Sequence, residues 1–258
     1  MPDRFVTAQF DRGQKPVVTV VNEAKTDWGV PPAALVEALR KYVDERFTPV
    51  WGVPATIAAG AAIKKGTWGL VFLDDADQAN ALGYHDLTPE GLPLGKVFVR
   101  TTLSSKNLVS VTASHELSEM LADPAIDLAA EAPDGTFYAY EVADPVEEET
   151  FEIDGIPMSN FVYPSWFEGF RKANSDKFDD LGSCKKPFQI RPGGYMSIFK
   201  EGQWTQIFGS KRSENRFQRE DRRERRPTRR GRPLEISQLN PAGQREGPAL
   251  ARRSRGRA

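Results

Sequence analysis

The chain has 258 residues, with 35 Lys+Arg against 36 Asp+Glu, two histidines and a single cysteine. One cysteine excludes an internal disulfide framework, and no apolar run approaches the roughly 20 residues of a membrane-spanning helix. The formal net charge of −1 hides a division: residues 211–258 carry 16 basic and 6 acidic groups, a net of +10, and the other 210 residues carry −11.

The N-terminus, Met1-Pro-Asp-Arg-Phe-Val6, lacks the charged-then-apolar pattern of a signal peptide, and together with the lone Cys184 this predicts a cytoplasmic protein with no membrane partner. Residues 1–15 read as a loose polar segment, 16–210 as one folded domain, and 211–258 as a basic disordered tail too poor in apolar residues to bury a core. Pro16 to Asn22 is β-branched and predicts a buried strand. Pro31-Pro32 opens a helix, and Leu35, Val36, Leu39, Tyr42, Val43 and Phe47 mark its apolar face. Further strands are predicted over Val53–Ala59, Trp68–Leu73 and Lys96–Thr101. A short extended segment at Ala79–Tyr84 ends near His85, and a Pro/Gly-rich loop spans Asp86–Gly95.

A second helix is predicted after Ser104 or Ser105, either of which can cap it, and Pro124 ends it. Leu108, Val109, Val111, Leu117, Met120 and Leu121 make this segment read as buried. It nevertheless contains His115, Glu116, Glu119 and Asp123. Burying ionisable groups costs several kcal/mol each unless they are paired or bind a metal. His115 and Glu119 are one turn apart on a single face, and Glu116 lies about 100° round the axis. H-E-x-x-E repeats the geometry of the H-E-x-x-H zinc helix, in which the outer pair ligates and the inner Glu activates a water.

Beyond Pro124 the chain becomes hairpin-rich. Thr136–Val142 alternates as a strand does, and Asp154-Gly155 signals a hairpin turn within Thr150–Ile156. Phe161–Phe167 is an aromatic segment expected to cover the core, and Gly194–Phe199 with Gln203–Phe208 forms a last hairpin.

The element order through Pro124, ending in the H-E-x-x-E helix, resembles the N-terminal half of the zincin metallopeptidases. The signature His115-Glu-Leu-Ser-Glu-x-x-x-Asp-Pro124, with Glu141-Val-Ala-Asp-Pro145 after it, is also similar to uncharacterised bacterial and phage-related proteins assigned as metallopeptidases. The resemblance implies an α+β, zincin-like fold: a mixed five-stranded twisted sheet with one antiparallel edge strand above a cleft, the metal-site helix beneath it, and a hairpin-rich part from about residue 125. It also implies a hydrolase acting on a peptide or protein substrate, with Glu116 as general base.

A catalytic zinc takes three protein ligands and leaves a position for water. The metzincin position for the third ligand falls on Ala125, which cannot ligate. Glu141 and Asp144 are the first choices to join His115 and Glu119, against the alternative that Glu147–Glu149 and their neighbours form a solvated acidic loop. Asp123 could ligate, hydrogen-bond His115, or merely cap a loop. His85 could contact metal or substrate near the edge strand, or be an ordinary loop histidine. Tyr163 could polarise a substrate carbonyl or simply pack. Met158 invites comparison with the metzincin methionine turn, but a core methionine is the expectation. One His with two carboxylates would nearly neutralise a divalent cation, so the expected cofactor is one divalent metal, zinc with manganese as the alternative. The competing reading is a non-catalytic zincin-like module whose basic tail contacts nucleic acid or another polyanion through salt-sensitive contacts.

Overall fold

Strand β1 (Val17–Asn22) lies between two parallel neighbours, and its four inner residues are buried. A β-branched run without polar alternation suits that position, because a strand covered on both faces has no solvent side. The structure is a computed structural model, and it describes residues 13–77 and 81–210 together with the backbone of Leu234–Glu235. The expected loose segment at 1–15 and the basic tail therefore fall almost wholly outside the described residues.

After β1 the chain enters α1 (Pro32–Lys41), which buries Leu35, Val36 and Leu39. The helix does not stop at Phe47. A π-helical stretch, Tyr42–Phe47, leads into a last turn, α2 (Thr48–Trp51). Pro49 has no N–H to give the Glu45 carbonyl, and a widened turn ahead of it accommodates the ring. Gly52 then closes the helix in the left-handed region at φ 65°, its N–H donating to the Thr48 carbonyl at 2.8 Å.

β2 (Thr56–Gly60), β3 (Trp68–Leu73), β4 (Gly83–Leu87) and β5 (Pro93–Phe98) complete a five-stranded sheet in the order β2-β1-β3-β5-β4. All its pairs are parallel except β4 with β5, so β4 is an antiparallel edge strand. The fold is thus α+β with a mixed five-stranded sheet. Several boundaries differ from the sequence reading, and the loop assigned to Asp86–Gly95 gives its ends to β4 and β5, leaving residues 88–92 between them. Of the extended segment assigned to Ala79–Tyr84, residues 79–80 lie outside the described residues, and β4 begins at Gly83, so His85 is in the middle of the strand rather than beyond its end. The strand assigned to Lys96–Thr101 stops at Phe98, and Val99–Ser104 turns into α3. There the Arg100 N–H donates to the Asp74 carbonyl at 2.9 Å, and its guanidinium meets Asp74 and Asp75 at 3.2 and 2.6 Å. These tertiary contacts override a β-rich local sequence.

The central helix, α4 (Val109–Ala122), is buried at every residue except Val111. Its N-cap is Leu108, not Ser104 or Ser105, because those serines belong to the end of α3. Small residues let neighbours approach α4 closely. On one side the Ser110 hydroxyl donates to the Pro157 carbonyl at 2.6 Å, and the Ser114 hydroxyl accepts the Ser159 N–H at 2.8 Å. On the other side Gly83 and Gly95 of the sheet face Glu116.

The remainder adds β6 (Leu128–Glu131) and β7 (Phe137–Ala139), then the hairpin of β8 (Thr150–Ile153) and β9 (Ile156–Ser159). Asp154 and Gly155 both have positive φ, 50° and 76°, as the two-residue turn requires. A last hairpin, β10 (Tyr195–Lys200) with β11 (Gln203–Phe208), joins β7, β6 and β12 (Leu234–Glu235) in a second five-stranded sheet. One continuous apolar core runs from Val18 to Ile198, with Trp166, Phe161 and Phe167 of the aromatic segment inside it.

Candidate metal centre

Helix α4 carries His115 and Glu119 on one face, and they meet: His115 Nε2 is 3.2 Å from Glu119 Oε1. Glu116 turns toward β4. A Cβ placed on Gly83 would lie 2.8 Å from Glu116 Cγ, so the carboxylate-bearing chain sits where only glycine leaves room. In the middle of β4, His85 presents its imidazole to the same space. Its Nδ1 is 3.7 Å from Glu116 Oε2 and 3.7 Å from Glu119 Oε2.

The third wall comes from residues 141–147, whose sequence is Glu-Val-Ala-Asp-Pro-Val-Glu. Val142, Ala143 and Val146 are fully buried in the core, which leaves the acids to point the other way. The segment is pinned by backbone bonds, Val162 N–H to Val142 carbonyl at 2.7 Å and Arg191 N–H to Pro145 carbonyl at 2.8 Å. Gly194 allows that approach, since a Cβ there would stand 2.3 Å from the Pro145 carbonyl oxygen. The result brings Asp144 Oδ1 to 3.3 Å from His115 Nε2 and Glu147 Oε2 to 3.2 Å from His115 Nδ1. Glu141 enters beside Glu119 and His85, and one donor atom from each of the three lies within 4.8 Å of the others. His115, Asp144 and Glu147 form a second such group.

The whole constellation is inside the protein. Glu119 and Glu141 have no exposure, Asp144 has 1% and His85 2%. Among the described residues of the cluster, the His115 and Glu147 side chains are the most exposed, at 9% and 13%. Burial opposes charge on His115, but the nearby carboxylates of Glu119, Glu147 and Asp144 outweigh it and hold its pKa well above the ordinary value. Burial raises the Glu119 pKa well above the carboxylate range; His115 counteracts this, while Asp144 and Glu141 add to it. Carboxylates packed this closely repel one another in a low dielectric, and the imidazoles alone balance only part of that charge.

The donors fit a divalent cation. Ligands about 2.1 Å from a tetrahedral metal stand roughly 3.4 Å apart. Glu119 and Asp144 stand 3.2 and 3.3 Å from His115 Nε2. Among the described residues, neither ring nitrogen of His85 makes a hydrogen bond. A buried imidazole left so carries a cost of about 1–3 kcal/mol that ligation removes.

The four expected ligands, His115, Glu119, Glu141 and Asp144, are brought together, with Glu116 beside them. Glu147 was missed in the sequence: it is not on a solvated loop but against His115. The signal was the spacing of acids at 141, 144 and 147 with apolar residues between them, which one compact turn converts into a single acidic face. Asp123 caps the turn after α4, its carboxylate accepting the Asp127 and Leu128 N–H groups at 3.0 and 3.1 Å. Tyr163 is engaged elsewhere, donating its hydroxyl to Asp180 at 2.8 Å. Met158 is a fully buried core residue. Among the described residues no helix is long and apolar enough to cross a membrane. Comparison with protein-family models, with curated proteins and with solved structures finds no match to this chain.

Proposed function

We propose that this protein is a metal-dependent hydrolase of zincin-like architecture, acting on peptide bonds, with His115, Glu119 and Asp144 as metal ligands and Glu116 as general base. The observation that carries the reading is the convergence of Glu119 and Asp144 on one ring nitrogen, at 3.2 and 3.3 Å, inside a buried helix and loop. The antiparallel edge strand β4 running beside the H-E-x-x-E helix supports the architecture. A divalent ion held there, zinc or manganese, would supply Lewis-acid polarisation of a carbonyl and an acidified water.

The chain's own groups have separable tasks. Glu116 has its carboxylate on the β4 side of the helix, outside the trio around His115 Nε2, and can accept a proton without giving up a ligand position. Glu147, on His115 Nδ1, selects which imidazole nitrogen is left to ligate, because a proton held on Nδ1 leaves the Nε2 lone pair free. The test is elemental analysis of purified protein beside a peptidase assay. Glu116→Gln should retain metal and lose hydrolysis by about 100-fold or more, whereas His115→Ala should lose both. Metal-free protein that takes up neither zinc nor manganese refutes the reading.

Burial favours one other role for the same ion. With Glu119 fully enclosed and Asp144 1% exposed, it would tie α4 to the 141–147 loop without turnover. In that case chelation lowers the melting temperature, and no hydrolysis is found in the wild type. A polyanion contact by the basic tail rests on residues outside those described.

A further inference from the structure

We propose that the centre is dinuclear, with Glu119 bridging two divalent ions. An outer ion would be held by His115, Asp144 and Glu119, and an inner ion by His85, Glu141 and Glu119. This rests on the metal-site reading above and extends it.

Three observations point to two positions. Donor atoms gather at two places: around His115 Nε2, where Asp144 Oδ1 and Glu119 Oε1 stand at 3.3 and 3.2 Å, and around His85, where one donor atom each from His85, Glu119 and Glu141 lie within 4.8 Å of one another. Glu119 belongs to both places. Its Oε1 is turned to His115 Nε2 at 3.2 Å and its Oε2 to His85 Nδ1 at 3.7 Å. A carboxylate whose two oxygens face two different imidazoles has the disposition of a bridge between ions about 3.5–4 Å apart.

The third observation is His85 itself. Its side chain is 1% exposed, it points into the cluster, and among the described residues neither ring nitrogen is hydrogen-bonded. A single ion at His115 Nε2 leaves this imidazole unused; a second ion gives it a role. Charge points the same way. Glu116, Glu119, Glu141, Asp144 and Glu147 bring five carboxylates to two imidazoles. Carboxylates gathered this densely in a buried site favour the approach of more than one divalent cation. The oxygen-rich inner set admits manganese or magnesium, and the imidazole in each set admits zinc or manganese at both.

The experiment is metal stoichiometry of the full chain, stripped with chelator and reconstituted with manganese, read by elemental analysis and by electron paramagnetic resonance. The expected result is about two equivalents with the exchange-coupled spectrum of a close pair, falling to about one uncoupled equivalent in His85→Ala. The wild-type spectrum needs no substitution, so a variant that misfolds does not leave the proposal untested. One uncoupled equivalent in the wild type overturns the dinuclear centre and leaves the mononuclear reading standing. No bound metal overturns both.

Discussion

Substituting Gly83 by alanine probes how tightly α4 is pressed against the edge strand. The new Cβ would stand 2.8 Å from Glu116 Cγ, 2.9 Å from Glu116 Oε1 and 2.8 Å from the Lys96 carbonyl oxygen. Gly83 is not among the positive-φ glycines, so backbone strain does not enter. Alanine at such a position normally stabilises by about 0.4–1 kcal/mol through the unfolded chain. Overpacking opposes this by about 1–3 kcal/mol. The Glu116 side chain can rotate away but the Lys96 carbonyl is backbone, held in the β4–β5 ladder where Tyr84 pairs with Lys96. The clash therefore wins, with a net loss of about 1.3 kcal/mol at the midpoints of those two ranges and at most about 2.6 kcal/mol. Urea denaturation gives the stability, and metal content of the same samples shows whether moving β4 also moves His85. The double variant Gly83→Ala/Glu116→Ala should recover part of the loss, because it removes one of the two obstacles, giving a coupling of about 0.5–1.5 kcal/mol. Wild-type stability in Gly83→Ala, or strict additivity in the double variant, would refute the close packing inferred around Glu116.

Two further outcomes test other parts of the frame. Ser114→Ala should cost about 1–3 kcal/mol in chemical denaturation, because it leaves the buried Ser159 N–H, now 2.8 Å from the hydroxyl, without an acceptor where β9 meets α4; a neutral effect would mean that this bond does not hold the hairpin. Asp74 accepts the Thr26 and Lys25 N–H groups at 2.8 and 3.1 Å, and bonds from the Thr26 side chain and backbone lower its pKa to about 2. A depressed carboxylate contributes stability above its unfolded pKa of 3.8 and loses it as pH falls toward 2, so Asp74→Asn should flatten the acid limb of a urea-midpoint profile between those values. An unchanged slope there would remove Asp74 as the anchor of the turn before α1.

Much of the frame could be read directly because local patterns there coincide with tertiary roles. Trp68–Leu73 reads as a strand and is one, since an uninterrupted apolar run has no use outside a covered sheet. Asp154-Gly155 names its hairpin because few other residue pairs tolerate two successive positive φ values. Element edges were less legible. Val99–Thr101 has strand composition, yet contacts of Arg100 with Asp74 and Asp75, distant in sequence, draw it into a helix. Likewise, β4 could not be registered from Ala79–Tyr84, because the register is decided by its partner β5.

For the site, the chain alone determined that His115 and Glu119 share a helix face, because 3.6 residues per turn leaves no alternative once the helix forms. It also marked Glu141 and Asp144, the acids of a Glu-x-x-Asp-Pro stretch where a strand passes into a loop beside an acidic run. Only the tertiary structure decided that Glu147 faces His115 and that His85 shares the space with Glu119. These groups come from an edge strand, a helix and a loop, and their meeting depends on the packing of α4 between β4 and residues 141–147. Spacing along a chain determines neighbours within one element; which elements meet is decided by burial of their apolar faces, and that is a property of the whole core.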